Sequence, residues 1–163
     1  MKWLSILMLA VLLTGLAGCG NENADGSPAV GEQKEHGFDI LETTASAAEL
    51  PEFLEHTHED ISSVYAESVH HKDLLEHIPC YCGCYESAGH RNVYDCFVNQ
   101  VNEDGTITWD DHGMKCGVCL EIAYSAVQMS ENGASDKEIR DAIDDYYNTD
   151  DYPEATPTPQ PEA

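Results

Sequence analysis

Positive charge is scarce in this chain of 163 residues, which has 7 lysine and arginine residues against 31 aspartate and glutamate residues. The formal net charge at pH 7 is −24. Nucleic acids and anionic lipid headgroups repel such a surface, because their phosphates carry charge of the same sign. The composition therefore excludes nucleic-acid binding through the protein surface, while nonspecific attraction of cations is compatible with it.

A hydrophobic run long enough to cross a membrane is also missing. The longest apolar stretch, Leu4–Leu13, follows Lys2 and falls well short of the about 20 residues that a spanning helix needs. A basic start, a short apolar run and small residues before a cleavage site are typical of an export signal. The segment Leu16-Ala17-Gly18-Cys19 resembles the lipobox of bacterial lipoproteins, which implies cleavage before Cys19 and lipidation of its thiol. We therefore expect residues 1–18 to be a lipoprotein signal peptide. The protein is then expected on the extracytoplasmic face of the bacterial cell membrane, held there by a lipid anchor.

Motifs of hydrolytic catalysis are absent as well. The chain has no Gly-x-Ser-x-Gly motif, no phosphate-binding loop and no isolated nucleophile beside an evident base. We therefore assign no catalytic residue, and binding is favoured over catalysis.

Composition divides the remaining chain into a domain and two flanking segments. Residues 19–45 contain few large apolar side chains and predict a flexible linker behind the lipidated cysteine. Residues 149–163 are rich in proline and predict a disordered, extended tail. The part that we expect to fold is residues 46–148.

Helical patterns dominate this domain. Apolar spacings of three and four predict a helix from about Glu59, and a second helix carries the last two cysteines and ends at Asn132-Gly133. Ser135 and Glu138 predict a capping box for a final helix. A turn at Asn102–Gly105 precedes extended residues. The predicted fold is mainly α, a small helical domain with an irregular, cysteine-rich central loop and at most one short β-hairpin.

Cysteine is what this domain has in excess. Three cysteines lie within five residues, and three more follow further along the chain. Exposed thiols oxidise, so something must occupy these sulfurs. Two histidines lie on glycine-bounded loops between the two cysteine groups. The candidate metal ligands are Cys80, Cys82, Cys84, Cys96, Cys116, Cys119, His90 and His112.

Metal binding is the first interpretation of these spacings. Cys116 and Cys119 form a C-x-x-C at a predicted helix start, where one turn brings both sulfurs to the same side. A turn at Gly83 can direct the sulfurs of Cys82 and Cys84 inward, whereas a disulfide between residues so close would be strained. Four or more thiolates select Cu(I) or Zn. Six exceed the four that one zinc ion needs, which implies a multinuclear site or a reserve pair.

Two alternatives remain open. An even number of cysteines in an extracellular domain is also typical of a disulfide framework, in which the clustered thiols pair with Cys96, Cys116 and Cys119. A thiol–disulfide oxidoreductase would instead use the C-x-x-C pair as its active dithiol.

The stretch Pro79–Cys84, with the sequence P-C-Y-C-G-C, resembles the signature of a family of bacterial secreted lipoproteins named for this motif and otherwise of unknown function. Gly89-His90, Tyr94–Phe97 and His112–Cys119 look like its accompanying blocks. The resemblance implies a lipoprotein with a metal or thiol role and supplies no reaction. We predict metal sequestration, sensing or delivery at the cell surface. The expected partners are a metal ion, the membrane and an unidentified metal-delivery protein.

Overall fold

The computed structural model describes residues 26–162. The predicted signal peptide and the predicted lipidation site at Cys19 lie outside the described residues. The helices in the described part are α1 (Glu59–His70), α2 (Lys72–Leu75), α3 (Cys84–Ala88), α4 (His112–Lys115), α5 (Gly117–Glu131) and α6 (Asp136–Tyr147). The strands are β1 (Gln33–His36), β2 (Asp39–Thr44), β3 (Val98–Val101) and β4 (Ile107–Asp110), and single 3-10 turns form at Glu52–Leu54 and Tyr94–Cys96.

The four strands form one antiparallel sheet in the order β1-β2-β4-β3. β3 and β4 are the predicted hairpin, closed by hydrogen bonds between Asn102, Gly105 and Thr106. β1 and β2 form a second hairpin, and β2 pairs with β4. The prediction of a mainly α fold is therefore wrong, because the domain is α/β with a central sheet.

Strand β2 comes from the stretch that we predicted to be a flexible linker, and the prediction is wrong for residues 33–44. Thr43 Oγ1 lies 2.9 Å from Thr108 Oγ1, and Trp109 Nε1 donates a hydrogen bond of 2.8 Å to Thr44 Oγ1. These polar side chains are buried through cross-strand hydrogen bonds, not through apolar packing. Local hydropathy misses such a strand, since its partners lie 65 residues further along the chain.

The long helices confirm the predictions made from the apolar spacings. α1 begins at Glu59, and α5 ends one residue before Asn132. Before α6, Ser135 Oγ accepts from the Glu138 N–H while the Glu138 carboxylate accepts from the Ser135 N–H, which is the predicted capping box. α5 packs between α1 and α6. Within residues 26–162, none of the helices has the length and apolar character that a membrane crossing requires.

Tyr65 of α1 connects this helix to the end of β4 and to α4 through hydrogen bonds. Its side chain is fully buried, and its hydroxyl donates to the Asp110 carbonyl at 2.8 Å and accepts from the Met114 N–H at 3.0 Å. α4 lies so close to this core that a Cβ on Gly113 would meet the Phe97 ring at 2.5 Å. Only glycine fits at this position without a shift of its neighbours. The close approach packs α4 against Phe97 and the backbone carbonyl of Cys96.

The C-terminal segment also departs from expectation. Beyond Tyr152 the chain forms no helix or strand up to residue 162, as predicted for a proline-rich stretch, but it is not free of the domain. Thr156 is 4% exposed; its N–H donates to the Cys80 carbonyl at 3.0 Å, and its Oγ1 accepts from the Cys80 N–H at 2.9 Å. Arg140 donates to the Pro159 carbonyl at 3.2 Å. The prediction of a disordered tail is therefore wrong for this segment, because its backbone satisfies groups of the cysteine loop.

Candidate metal centre

The cysteine loop turns sharply at one glycine. Gly83 has φ +80° and ψ +11°, a left-handed conformation that glycine adopts without strain, and α3 begins directly after it at Cys84. The donor sulfurs of Cys80, Cys82 and Cys84 lie within 4.8 Å of one another. The predicted turn at Gly83 therefore directs the neighbouring sulfurs into one cluster.

Cys119 in the first turn of α5 connects this loop to the rest of the cluster. Its Sγ lies 3.2 Å from that of Cys80, and 3.5 Å from those of both Cys82 and Cys96. Cys84 Sγ lies 3.9 Å from Cys96 Sγ. Cys80, Cys84, Cys96 and Cys119 are all buried. Each of these distances is far above the about 2.05 Å of a disulfide bond, and the six cysteines of the described residues are free thiols.

The sulfur spacings match those of ligands that share a metal ion. With zinc–sulfur bonds of about 2.3 Å, two sulfurs at the corners of a tetrahedron lie about 3.8 Å apart. The sulfur–sulfur separations in the cluster run from 3.2 to 3.9 Å, so this value lies near the upper end of their range. A metal ion could therefore be accommodated with small adjustments of side-chain rotamers.

Cys116 lies at the edge of the cluster. It has an extended backbone and directly precedes α5. It is half-buried, as is Cys82, and it belongs to none of the donor groups with mutual distances below 4.8 Å, which contain the other seven predicted ligands. A cavity of about 290 Å³ is lined by Cys116, Cys82, Cys84 and His112. This cavity joins the cluster to the surface.

Both predicted histidines face the sulfurs with an unpaired nitrogen. His90 and His112 form one group with Cys84 and Cys96 in which all donor atoms lie within 4.8 Å of one another. The two imidazole rings meet edge to face, with centroids 4.6 Å apart. His90 Nδ1 and His112 Nε2 are buried and have no hydrogen-bond partner among the described residues. Buried polar atoms normally find a partner, so these two nitrogens are available to a ligand.

Two carboxylates that we did not predict hold these rings. Asp39 Oδ2 lies 3.1 Å from His112 Nδ1, and Asp110 Oδ2 lies 3.4 Å from His90 Nε2. Asp110 Oδ1 also accepts from the His112 N–H at 2.8 Å. Both carboxylates are buried. Metal-bound histidines are commonly oriented in this way by a carboxylate on the opposite nitrogen.

A sequence signal existed for only one of these carboxylates. Asp110 lies two residues before His112 and directly follows the predicted extended stretch, so the sequence indicates that the two side chains are near each other. Asp39 lies in the stretch assigned to the linker and is 73 residues from His112. No local pattern could have identified it.

The donors influence one another's protonation strongly. Cys82 and Cys84 raise the pKa of His112 to about 11. Burial lowers the pKa of His90, but Asp110 and the nearby thiols outweigh it and raise that pKa to about 12. Hydrogen bonds from Cys116 and Cys119 lower the pKa of Cys82 to about 2.

The donor set fits soft metal ions. Thiolate and imidazole are the ligands of structural zinc sites, and thiolates also select Cu(I). The arrangement of buried cysteine sulfurs and histidine nitrogens could hold a metal ion.

Comparison with known proteins places the chain in a family. A search of curated proteins and a search of solved structures each found no match. Residues 6–161 match the family described as "Protein of unknown function with PCYCGC motif". The match covers nearly the whole chain and confirms the resemblance seen in Pro79–Cys84. The chain belongs to the PCYCGC-motif family of proteins of unknown function.

Proposed function

We propose that this protein binds a thiophilic transition metal ion, Cu(I) or Zn, through its cysteine and histidine cluster. The observation that carries the proposal is the pair of buried, unpaired imidazole nitrogens, His90 Nδ1 and His112 Nε2, beside free thiols. A disulfide framework would use sulfur alone and would leave these nitrogens buried without a partner, which costs about 1–3 kcal/mol for each. A bound ion satisfies both.

The proposed role is metal sequestration, sensing or delivery at the extracytoplasmic face of the cell membrane. This role combines the metal site with the predicted lipid anchor at Cys19. Thiols in an oxidising compartment are protected from disulfide formation while a metal ion holds them. The strongly acidic chain, with a net charge of −24, would attract cations to the surface around the site.

The alternative function, thiol–disulfide exchange by Cys116 and Cys119, has one supporting observation. Cys116 is half-buried and lines the cavity, so its thiol can be reached from solution. Two observations oppose it. A hydrogen bond with Cys119 lowers the pKa of Cys116, but Cys82 and burial outweigh it and raise that pKa, which reduces the thiolate fraction. Exchange chemistry also gives no role to His90.

The test is a count of metals and free thiols on the same sample, purified without chelator and without added reductant. Stoichiometric copper or zinc, with the cluster thiols reactive only after chelation or denaturation, supports metal binding. Absence of metal together with absence of free thiols would refute it in favour of disulfides. Metal-free protein whose disulfide exchange is lost in Cys116→Ser would favour the oxidoreductase.

A further inference from the structure

The donors of the cluster are too numerous for one ion. Six sulfurs and two histidine nitrogens make eight candidate ligands, whereas zinc in a structural site takes four. Resting on the proposed function, we propose that the cluster holds two metal ions in adjoining sites. An inner site uses Cys84, Cys96, His90 and His112, and an outer site uses Cys80, Cys82 and Cys119 with Cys116 at its open side.

The inner site is a complete four-ligand set. Its two sulfurs are 3.9 Å apart, close to the tetrahedral spacing, and all four donor atoms lie within 4.8 Å of one another. Three of its four residues are buried, with Cys84 1% and His90 6% exposed. Both histidines that carry an unpaired nitrogen belong to this set. Two cysteines and two histidines are a standard zinc donor set.

The outer site consists of sulfur alone. Cys80 Sγ is 3.2 Å from both Cys82 Sγ and Cys119 Sγ, and the latter two are 3.5 Å apart. This near-equilateral triangle suits a metal ion with three thiolate ligands. Cys116 lies at the edge of this triangle, lines the same cavity as Cys82, and is three residues before Cys119. A fourth thiolate is thus within reach when a tetrahedral ion is bound.

The two donor sets touch. Cys96 Sγ of the inner set is 3.5 Å from Cys119 Sγ of the outer set, and His112 also lies within 4.8 Å of Cys82 and Cys119. The ions would therefore be neighbours, and a thiolate at the boundary can bridge them. A bridging thiolate serves two ions at once, which offsets the small number of ligands in the outer triangle.

The sites differ in their access to solution. The cavity of about 290 Å³ borders both sets, since Cys84 and His112 line it together with Cys82 and Cys116. The two half-buried thiols, Cys82 and Cys116, both belong to the outer set, whereas the inner thiols of Cys84 and Cys96 are buried. A chelator in solution therefore reaches the outer ion first. We expect metal release in two phases, with the outer ion lost faster than the inner one. In a delivery or sensing role, the outer ion would be the one exchanged.

The experiment is a titration of the purified, reduced protein with Zn²⁺, and separately with Co²⁺ as a spectroscopic probe, followed by native mass spectrometry. We expect two ions per wild-type chain. His90→Gln removes an inner ligand, and Cys116→Ser with Cys82→Ser removes outer ligands; each variant should bind one ion. His56→Gln, at an exposed histidine outside the cluster, is the matched control and should bind two.

The cobalt spectra add a readout that does not depend on the variants. Cobalt bound by mixed sulfur and nitrogen ligands differs in its absorption from cobalt bound by sulfur alone, so wild-type protein should develop two successive spectra. One ion per wild-type chain with a single spectrum would overturn the two-ion centre and leave metal binding intact. No bound Zn²⁺ or Co²⁺, together with no bound Cu(I) in the same titration under reducing conditions, would overturn the proposed function as well. Even if a variant fails to fold, the wild-type count decides the question.

Discussion

Removal of the Asp39 carboxylate should weaken metal binding although Asp39 is not a proposed ligand. Its Oδ2 lies 3.1 Å from His112 Nδ1, and this contact fixes the ring so that the opposite nitrogen faces the sulfurs. A carboxylate at this position also makes the imidazole a stronger donor. Within residues 26–162, the Asp39 carboxylate also forms an ion pair with Lys115 at 3.4 Å, and Lys115 keeps its ion pair with Asp111 at 2.6 Å after the change. The effect on folding should therefore be small compared with the effect on the metal.

The expected magnitude follows from these contacts. Loss of a carboxylate that orients a metal-bound histidine typically costs about 10–100-fold in affinity, which is about 1.4–2.8 kcal/mol. Asp39→Asn keeps an oxygen that can accept from the ring and should lie near the lower end. Asp39→Ala removes it and should lie near the upper end.

Competition with a colorimetric zinc chelator at pH 7 measures this affinity, with circular dichroism as a check of the fold. Asp145→Asn and Asp145→Ala, at an exposed position on α6 that is not part of the cluster, remove the same charge without touching a proposed ligand. Equal weakening in the Asp145 variants would show that net charge, not ring orientation, is responsible. Unchanged affinity in Asp39→Ala, with clear weakening in His112→Ala, would refute the positioning role.

Three further predictions concern the fold and the protonation of the site. Gly113→Ala should lower the free energy of unfolding by about 1–3 kcal/mol, because its Cβ would meet the buried Phe97 ring at 2.5 Å. The control, Gly117→Ala, places its Cβ in open space and should leave the free energy of unfolding unchanged; urea titration measures both. Thr156→Ala should cost about 1–2 kcal/mol of metal-free stability, because the buried Cys80 N–H loses its acceptor; an unchanged urea midpoint would contradict this. Metal affinity should rise with pH between about 6 and 10, because the two cluster imidazoles, with pKa values raised to about 12 and about 11, must lose their protons to bind. Calorimetry in buffers of different ionisation enthalpy measures the protons released, and an affinity that does not change with pH would contradict the imidazole ligands.

The helices and the donors could be predicted because both depend on local pattern. The capping box at Ser135 and the stop at Asn132-Gly133 act within a few residues, and the structure confirms them. The ligands of a soft metal are determined by residue type, so a dense group of cysteines with two nearby histidines identified candidate donors before any fold was known. Seven of the eight come together within the 4.8 Å groups.

The sheet could not be predicted in the same way. β2 is largely polar, and its burial depends on Thr108 and Trp109 of β4. Such pairing leaves no periodic apolar signal in the strand itself, so composition indicated a linker. The C-terminal segment is a similar case, since Thr156 is ordered by two hydrogen bonds to a backbone 76 residues away.

The metal centre likewise combines ligands that local sequence identifies with supporting groups that lie far away in the sequence. All eight donors lie between Cys80 and Cys119, in the middle of the chain, and so does Asp110, but two other groups that support them come from outside this stretch, one on each side. Asp39 approaches from the N-terminal side to hold His112, and Thr156 approaches from the C-terminal side to hold the Cys80 backbone. A domain bounded at residues 46 and 148 would contain every ligand and neither support. Because metal affinity depends on how far the ligands are preorganised as well as on their identity, those bounds delimit the ligands but not the site.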